Sequence, residues 1–120
     1  MSLTATRPRK ADPTPSGFVY FVQAKVLRLI KIGCAVEPID RLYTLRCGSP
    51  DELTLLGVIR AANAMQVERG FHHQFATARQ HGEWFEPTPD LLATIKLKAV
   101  DYDELLSAEN TANAMRVLAG

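Results

Sequence analysis

Two strand-forming runs separated by a short polar gap constrain the fold of this chain most. Residues 18–22 read Phe-Val-Tyr-Phe-Val and residues 29–33 read Leu-Ile-Lys-Ile-Gly, both rich in β-branched and aromatic side chains. The gap between them is too short for a crossover helix, so the two runs predict an antiparallel β-hairpin. The almost continuously apolar residues 53–59 predict a third, well-buried strand.

Helical signals fill the rest of the chain. Pro38 suits the first turn of a helix, and Asn63 can cap a second helix that is predicted to run to about Ala78. Residues 82–85, Gly-Glu-Trp-Phe, are expected to form an aromatic turn. Two later helical stretches are predicted at residues 90–98 and 103–118. The predicted fold is therefore α+β, a small, three-stranded, largely antiparallel sheet flanked by helices.

The composition fits one soluble globular domain. The chain has 120 residues, of which 47% are hydrophobic, and no apolar run is long enough to span a bilayer. Residues 1–16 combine prolines with basic side chains and are expected to form a flexible basic tail, whereas residues 17–120 form the single domain. The N-terminus lacks the apolar segment of a signal peptide, so we expect a cytoplasmic location. Two cysteines, Cys34 and Cys47, are expected to be free, buried thiols.

Charge is distributed unevenly along the chain. Residues 1–50 carry eight Lys/Arg and three Asp/Glu, whereas residues 51–120 carry six and ten. This asymmetry permits a basic, phosphate-facing surface on a chain of nearly neutral charge, although basic residues scattered over a solvated surface would explain it as well.

Glu68 is the most informative single position. Ala64, Phe71 and Phe75 lie at helical spacing around it and define the inward stripe of the second predicted helix. A carboxylate on such a stripe is normally paired, neutralised or bound to a cation, because burying an unpaired charge is costly. A position at the helix edge, with the carboxylate in solvent, is the equal alternative.

Three further side chains interrupt apolar patterns or follow Glu68. His72 lies one turn beyond Glu68 and could share a metal or a substrate with it. Lys31 is the one charge in its strand, and Tyr20 is the one hydroxyl in its strand, though an exposed lysine and a packed tyrosine are ordinary explanations. The cysteine and histidine spacing excludes a structural zinc site, and a lone carboxylate better suits Mg²⁺ that also binds phosphate oxygens.

Taken together, these motifs resemble those of the GIY-YIG endonuclease superfamily. The series comprises Phe18-Val19-Tyr20, Lys31-Ile32-Gly33, Arg41 in the next helix, Glu68 followed by a His and a Phe, and Gly82-Glu83-Trp84-Phe85. It is most similar to the phage and fungal branch that includes meiotically up-regulated proteins. The resemblance covers residues 17–89 and implies a GIY-YIG-like fold, with the C-terminal helices at residues 90–118 outside it.

The resemblance implies phosphodiester hydrolysis by Tyr20, Lys31, Arg41 and Glu68. Glu68 would bind Mg²⁺ or Mn²⁺, Arg41 would hold the scissile phosphate, and Tyr20 would take part in activating the attacking water. A free phenol is a poor base at neutral pH, so Tyr20 would need Lys31, Arg41 or the metal to favour its phenolate. Candidate substrate-binding residues are Arg46, His72 and Trp84.

The expected function is a metal-dependent endonuclease that acts on nucleic acid, with DNA as the favoured substrate and RNA left open. Phe18 stands where the family has a glycine and Lys31 where it has a tyrosine, and the family's late asparagine has no clear counterpart. These departures leave a second reading open, a nucleic-acid-binding module of the same fold that cleaves slowly or not at all. No membrane partner is expected.

Overall fold

The computed structural model describes residues 17–119, so the expected tail at residues 1–16 lies outside the described part of the chain. The fold is α+β. Five antiparallel strands form one sheet in the order β3-β1-β2-β5-β4, and four α-helices surround it. The strands are β1 (Gly17–Ala24), β2 (Ile30–Ala35), β3 (Leu53–Ala61), β4 (Arg79–His81) and β5 (Trp84–Phe85). The helices are α1 (Pro38–Cys47), α2 (Ala64–Gln74), α3 (Pro89–Lys98) and α4 (Tyr102–Ala119).

The expected β1–β2 hairpin is confirmed, and β1 lies between β3 and β2 in the sheet. Its register with β2 pairs Tyr20 with Gly33 and Val22 with Lys31. Because side chains alternate along a strand, Tyr20, Lys31 and Gly33 share one face of the sheet. That register places two candidate catalytic side chains on the same side.

Each face of the sheet carries its own hydrophobic cluster. On the Tyr20 face, strand residues pack against Leu42 of α1 and Tyr102 of α4. On the opposite face, Phe21 and its neighbours pack against residues of α2 and α3, including Phe71 and Leu91. The sheet is therefore a middle layer between two pairs of helices, which explains why β1 is apolar at almost every position.

The sheet has five strands, not the expected three. The aromatic turn expected at residues 82–85 is part of a short hairpin in which β5 pairs with β2 and with β4. Gly82 has a φ of +55°, a backbone conformation that glycine adopts without strain in tight hairpin turns. Strands of two and three residues, with β4 entirely exposed, are too short to show an alternating pattern.

The second helix begins as expected but ends early. The Asn63 side chain accepts a hydrogen bond of 3.2 Å from the backbone N–H of Gln66, which caps the first turn. The α-helix ends at Gln74, and a 3₁₀ turn over Ala76–Ala78 replaces the expected last turn. Phe75 and Ala78 are both buried, and their three-residue spacing suits either kind of helix, so the apolar pattern does not distinguish them.

None of the helices in residues 17–119 combines the length and the apolar character needed to cross a membrane.

Candidate functional site

The candidate site lies at an open edge of β2. Strand β5 pairs only with Ile30 and Lys31, and the N–H of Ile32 donates a hydrogen bond of 3.0 Å to the carbonyl of Glu83. Within the described residues, 33–35 have no strand partner on this side. Side chains from both faces of the sheet can therefore meet at this edge.

Glu68 reaches this edge from α2 and is buried, with 7% of its surface exposed. Its Oε1 accepts a hydrogen bond of 3.2 Å from the Sγ of Cys34 on β2. Burial, and then the neighbouring carboxyl of Glu83, raise the pKa of Glu68 above its ordinary value. Of the two alternatives for Glu68, the structure has the buried one.

Glu83 brings a second carboxyl group to the site, and the sequence analysis did not select it. It lies in the turn between β4 and β5, and its Oε1 is 3.1 Å from Nζ of Lys31. Burial opposes ionisation of Glu83, but the hydrogen bond and charge of Lys31, together with Glu68, lower its pKa overall. The available signal was its place in the Gly-Glu-Trp-Phe motif.

Glu68, His72 and Glu83 form a cluster that could hold a metal ion, with ligand atoms within 4.8 Å of one another. Carboxylate oxygens are the ligands that Mg²⁺ and Mn²⁺ use in proteins. The two carboxylates thus fit a hard divalent cation, and neither is held by a strong partner on all of its oxygens.

His72 is the member of this cluster least free to bind a metal ion, because both of its ring nitrogens have partners. Its Nε2 lies 2.8 Å from the carbonyl of Ile32, and its Nδ1 lies 3.2 Å from a guanidinium nitrogen of Arg79. A guanidinium only donates and a carbonyl only accepts, so the ring is the neutral tautomer with its proton on Nε2. Because both nitrogens are engaged, His72 would have to give up one bond before binding a metal or substrate.

Tyr20 supplies an unpartnered hydroxyl beside the carboxylates. The side chain is 1% exposed, and its Oη has no hydrogen-bond partner among the described residues. Burial raises the pKa of Tyr20, and the nearby charge of Arg41 acts in the opposite direction without reversing the shift. Tyr20 is therefore a neutral phenol at neutral pH.

Arg41 approaches the site from the first turns of α1, and its own surroundings are open. It is exposed and lines a concavity of about 370 Å³ together with Glu37, Asp40 and Thr44. An exposed guanidinium in a concavity near the buried Tyr20 side chain can bind an oxyanion bidentately.

Of the other two candidate substrate-binding residues, only Trp84 lies near the carboxylates. Both Nε and a terminal nitrogen of Arg46 donate to the carbonyl of Leu53, at 3.2 and 3.1 Å, and so tie the end of α1 to the start of β3. Trp84 pairs with Lys31 in the sheet, and the Lys31 Nζ is 5.6 Å from the centre of its ring. Trp84 therefore borders the site, whereas the guanidinium of Arg46 is engaged elsewhere.

The fold and site define a small α+β domain with a carboxylate pair at the open edge of an antiparallel sheet. The family model of the T5orf172 domain matches residues 17–105, and the chain belongs to that family. No curated protein and no solved structure matches the chain significantly.

Proposed function

We propose that this chain is a metal-dependent endonuclease of the GIY-YIG type that hydrolyses phosphodiester bonds in nucleic acid, with DNA as the favoured substrate. The observation that carries the proposal is the meeting of Glu68, Glu83 and Lys31 with the unpartnered Tyr20 hydroxyl at the open edge of β2. Membership of the T5orf172 family is compatible with a role on nucleic acid.

The two acid groups have the properties that a cation site requires. Burial makes the charged form of Glu68 unfavourable, and Glu83 beside it makes a second negative charge more unfavourable still. Glu68 and Glu83 would hold Mg²⁺ or Mn²⁺ between them. A divalent cation at this place supplies charge stabilisation for the phosphorane-like transition state.

The remaining side chains then take separate roles. Arg41 binds a non-bridging oxygen of the scissile phosphate, which positions the phosphorus atom and offsets the charge that develops there. The neutral phenol of Tyr20 accepts a hydrogen bond from the attacking water and orients it. Lys31, held by Glu83 in the substrate-free protein, is placed to contact the phosphate or the leaving oxygen.

Incubation with supercoiled plasmid, branched DNA and a structured RNA tests the proposal. We expect cleavage in Mg²⁺ and Mn²⁺ and none in EDTA, with DNA cut faster than RNA. Gel electrophoresis of the products distinguishes nicking from double-strand cleavage.

A specific observation favours one other candidate function, a nucleic-acid-binding module without cleavage. Lys31 stands where the resemblance has a tyrosine, and its ammonium group is held by Glu83 at 3.1 Å, so it is not free to take part in cleavage. Normal nucleic-acid binding with no cleavage in either metal would select this alternative and overturn the endonuclease.

A further inference from the structure

A second concave site lies beside the carboxylates, on the Tyr20 face of the sheet. It has a volume of about 390 Å³ and is bounded by the β1–β2 hairpin, the end of α1 and the start of β3. We call it the Trp84 pocket, after the aromatic side chain in its wall. Its apolar walls include Leu27, Leu29, Leu45 and Leu53, and its polar lining residues are Thr44, Ser49, Asp51 and His81. Its size lies in the range of small-molecule binding sites.

The Trp84 pocket adjoins the proposed cleavage site at two points. Trp84 is the cross-strand neighbour of Lys31, whose ammonium group lies 5.6 Å from the indole centre and 3.1 Å from Glu83. Thr44 lines both this pocket and the concavity that contains Arg41. A nucleotide bound through its phosphate at Arg41 and Lys31 would thus have the pocket beside it.

The exposed wall of the pocket is held in a fixed shape. Leu27 is 66% exposed at the tip of the hairpin, an unfavourable place for an apolar side chain unless something covers it. The Asp51 carboxylate accepts hydrogen bonds of 3.0 to 3.1 Å from the N–H groups of Val26 and Leu27.

The next residue of the tip carries backbone strain. Arg28 has a φ of +69°, which is uncommon for a residue other than glycine. Strain of this kind persists where the surrounding structure holds a segment in a functional shape. The side chain of Arg28 lines a neighbouring concavity with Lys25 and Thr54 rather than this pocket.

We propose that the Trp84 pocket binds one unpaired nucleobase of the substrate strand, next to the scissile phosphate. The inference rests on the proposed function, because the phosphate of that nucleotide is what the carboxylate site would take. The flat indole and the aliphatic walls suit the face of a base, and the Lys31 ammonium group beside Trp84 suits an adjacent phosphate. The pocket would accept any base by stacking on its largely apolar wall and would favour strands whose bases are unpaired.

The only tryptophan of the chain reports on this pocket directly. In EDTA, where no cleavage is expected, we would titrate the protein with a single-stranded oligonucleotide, a duplex of the same sequence and a fully abasic oligonucleotide of equal length. The single strand should quench Trp84 fluorescence. The abasic strand should bind about tenfold more weakly and cause little quenching, because it has the phosphates without the bases.

Two variants that keep Trp84 provide the matched comparison. Leu27→Ser removes an exposed wall of the pocket, and Leu97→Ser changes a more exposed leucine on α3 that does not line it. Leu27→Ser should weaken binding of the base-bearing strand about fivefold and leave binding of the abasic strand unchanged. Leu97→Ser should change neither.

Equal affinity and equal quenching for the abasic and base-bearing strands would overturn the proposal, as would a preference for the duplex. Equal effects of the two leucine substitutions would overturn it too, because the loss would not be specific to the pocket. These readouts measure binding in EDTA, so they can succeed even where the protein cleaves nothing. Failure of the endonuclease proposal is thereby distinguished from failure of the pocket.

Discussion

The Sγ of Cys34 lies 3.2 Å from Oε1 of Glu68, so a thiol on β2 donates a hydrogen bond to a buried carboxyl group on α2. Burial, and then this contact, raise the pKa of Cys34 to about 11. The Cys34 thiol is thus kept protonated, and its hydrogen bond orients the Glu68 carboxyl group. Because only the thiolate is an effective nucleophile, Cys34 is expected to react slowly.

This contact predicts that the two cysteines differ in reactivity. At pH 8, iodoacetamide should modify the exposed Cys47 readily and Cys34 slowly, because a thiol of such high pKa has almost no thiolate. Peptide mass spectrometry after timed quenching measures both rates. Glu68→Gln should speed the modification of Cys34, since the negative charge that opposes its thiolate is gone. Equal rates at Cys34 in parent and variant would contradict the contact.

The close approach of Tyr20 to Gly33 predicts the effect of adding one methyl group. The two residues are cross-strand partners, and a Cβ at Gly33 would overlap the buried tyrosine ring and hydroxyl. Gly33→Ala should lower the free energy of unfolding by about 1–3 kcal/mol and displace Tyr20 from the site. Thermal unfolding and cleavage rate measure the two effects.

Gly70 provides the control for that substitution. It lies in α2, where a Cβ would meet nothing within 4 Å. Gly70→Ala should therefore stabilise the protein by up to about 1 kcal/mol, because alanine is the better helix former. If Gly33→Ala left the free energy of unfolding unchanged or raised it, as expected for Gly70→Ala, the Tyr20 ring would not lie against Gly33.

Arg41 is expected to matter for cleavage far more than for stability. Its side chain is exposed, and its charge opposes the rise in the pKa of Tyr20. Arg41→Ala should lower the cleavage rate about a hundredfold through loss of transition-state stabilisation, with a nearly unchanged melting temperature. Arg69→Ala, at an exposed position of α2, is the matched control and should cleave normally. A comparable loss in both variants would indicate only a general effect of positive charge on binding.

The sequence predicted those parts of the fold that local patterns determine. The β1–β2 hairpin follows from two apolar runs with a short gap, and Asn63 marks the start of α2 because its side chain can cap a helix. Strands β4 and β5 could not be predicted, because five residues in two strands are held in the sheet by pairing with β2 rather than by their own composition.

Dependence on long-range strand pairing also limits how much of the site could be predicted from the sequence. Glu68 was detectable because it interrupts the apolar stripe of α2, which is a local pattern. The motif drew attention to Glu83, but its position beside Glu68 depends on the register that pairs Phe85 with Ile30. Long-range register is a property of the whole sheet and cannot be read from the residues around position 83 alone.

The raised pKa of Glu68 predicts how stability depends on pH without a divalent cation. Burial and Glu83 make the ionised form less favourable in the folded than in the unfolded chain. Protonated Glu68 thus contributes stability that is complete below the unfolded pKa and is lost as pH rises through the higher folded pKa. In EDTA, the melting temperature of the parent should fall across this window relative to Glu68→Gln. Parallel profiles would mean that Glu68 is not perturbed.

Addition of Mg²⁺ or Mn²⁺ should raise the melting temperature of the parent relative to Glu68→Gln. A cation bound only by the folded protein stabilises it according to its concentration and affinity, so the melting temperature of the parent should rise at pH 7.5. Glu68→Gln and Glu83→Gln should each respond less, because each removes one of the two carboxylates. An equal rise in the parent and both variants would place the cation elsewhere.

The central claim is that Glu68 serves cleavage rather than stability, and the rate of DNA cleavage by Glu68→Gln in Mg²⁺ tests it most directly. Glu104→Gln, at an exposed position of α4, is the control for loss of one carboxylate. We predict that Glu68→Gln loses at least about a hundredfold in rate while its melting temperature in EDTA stays equal to or above that of the parent. A variant that cleaves at the parental rate, or that loses activity only in proportion to lost folded protein, would contradict the account.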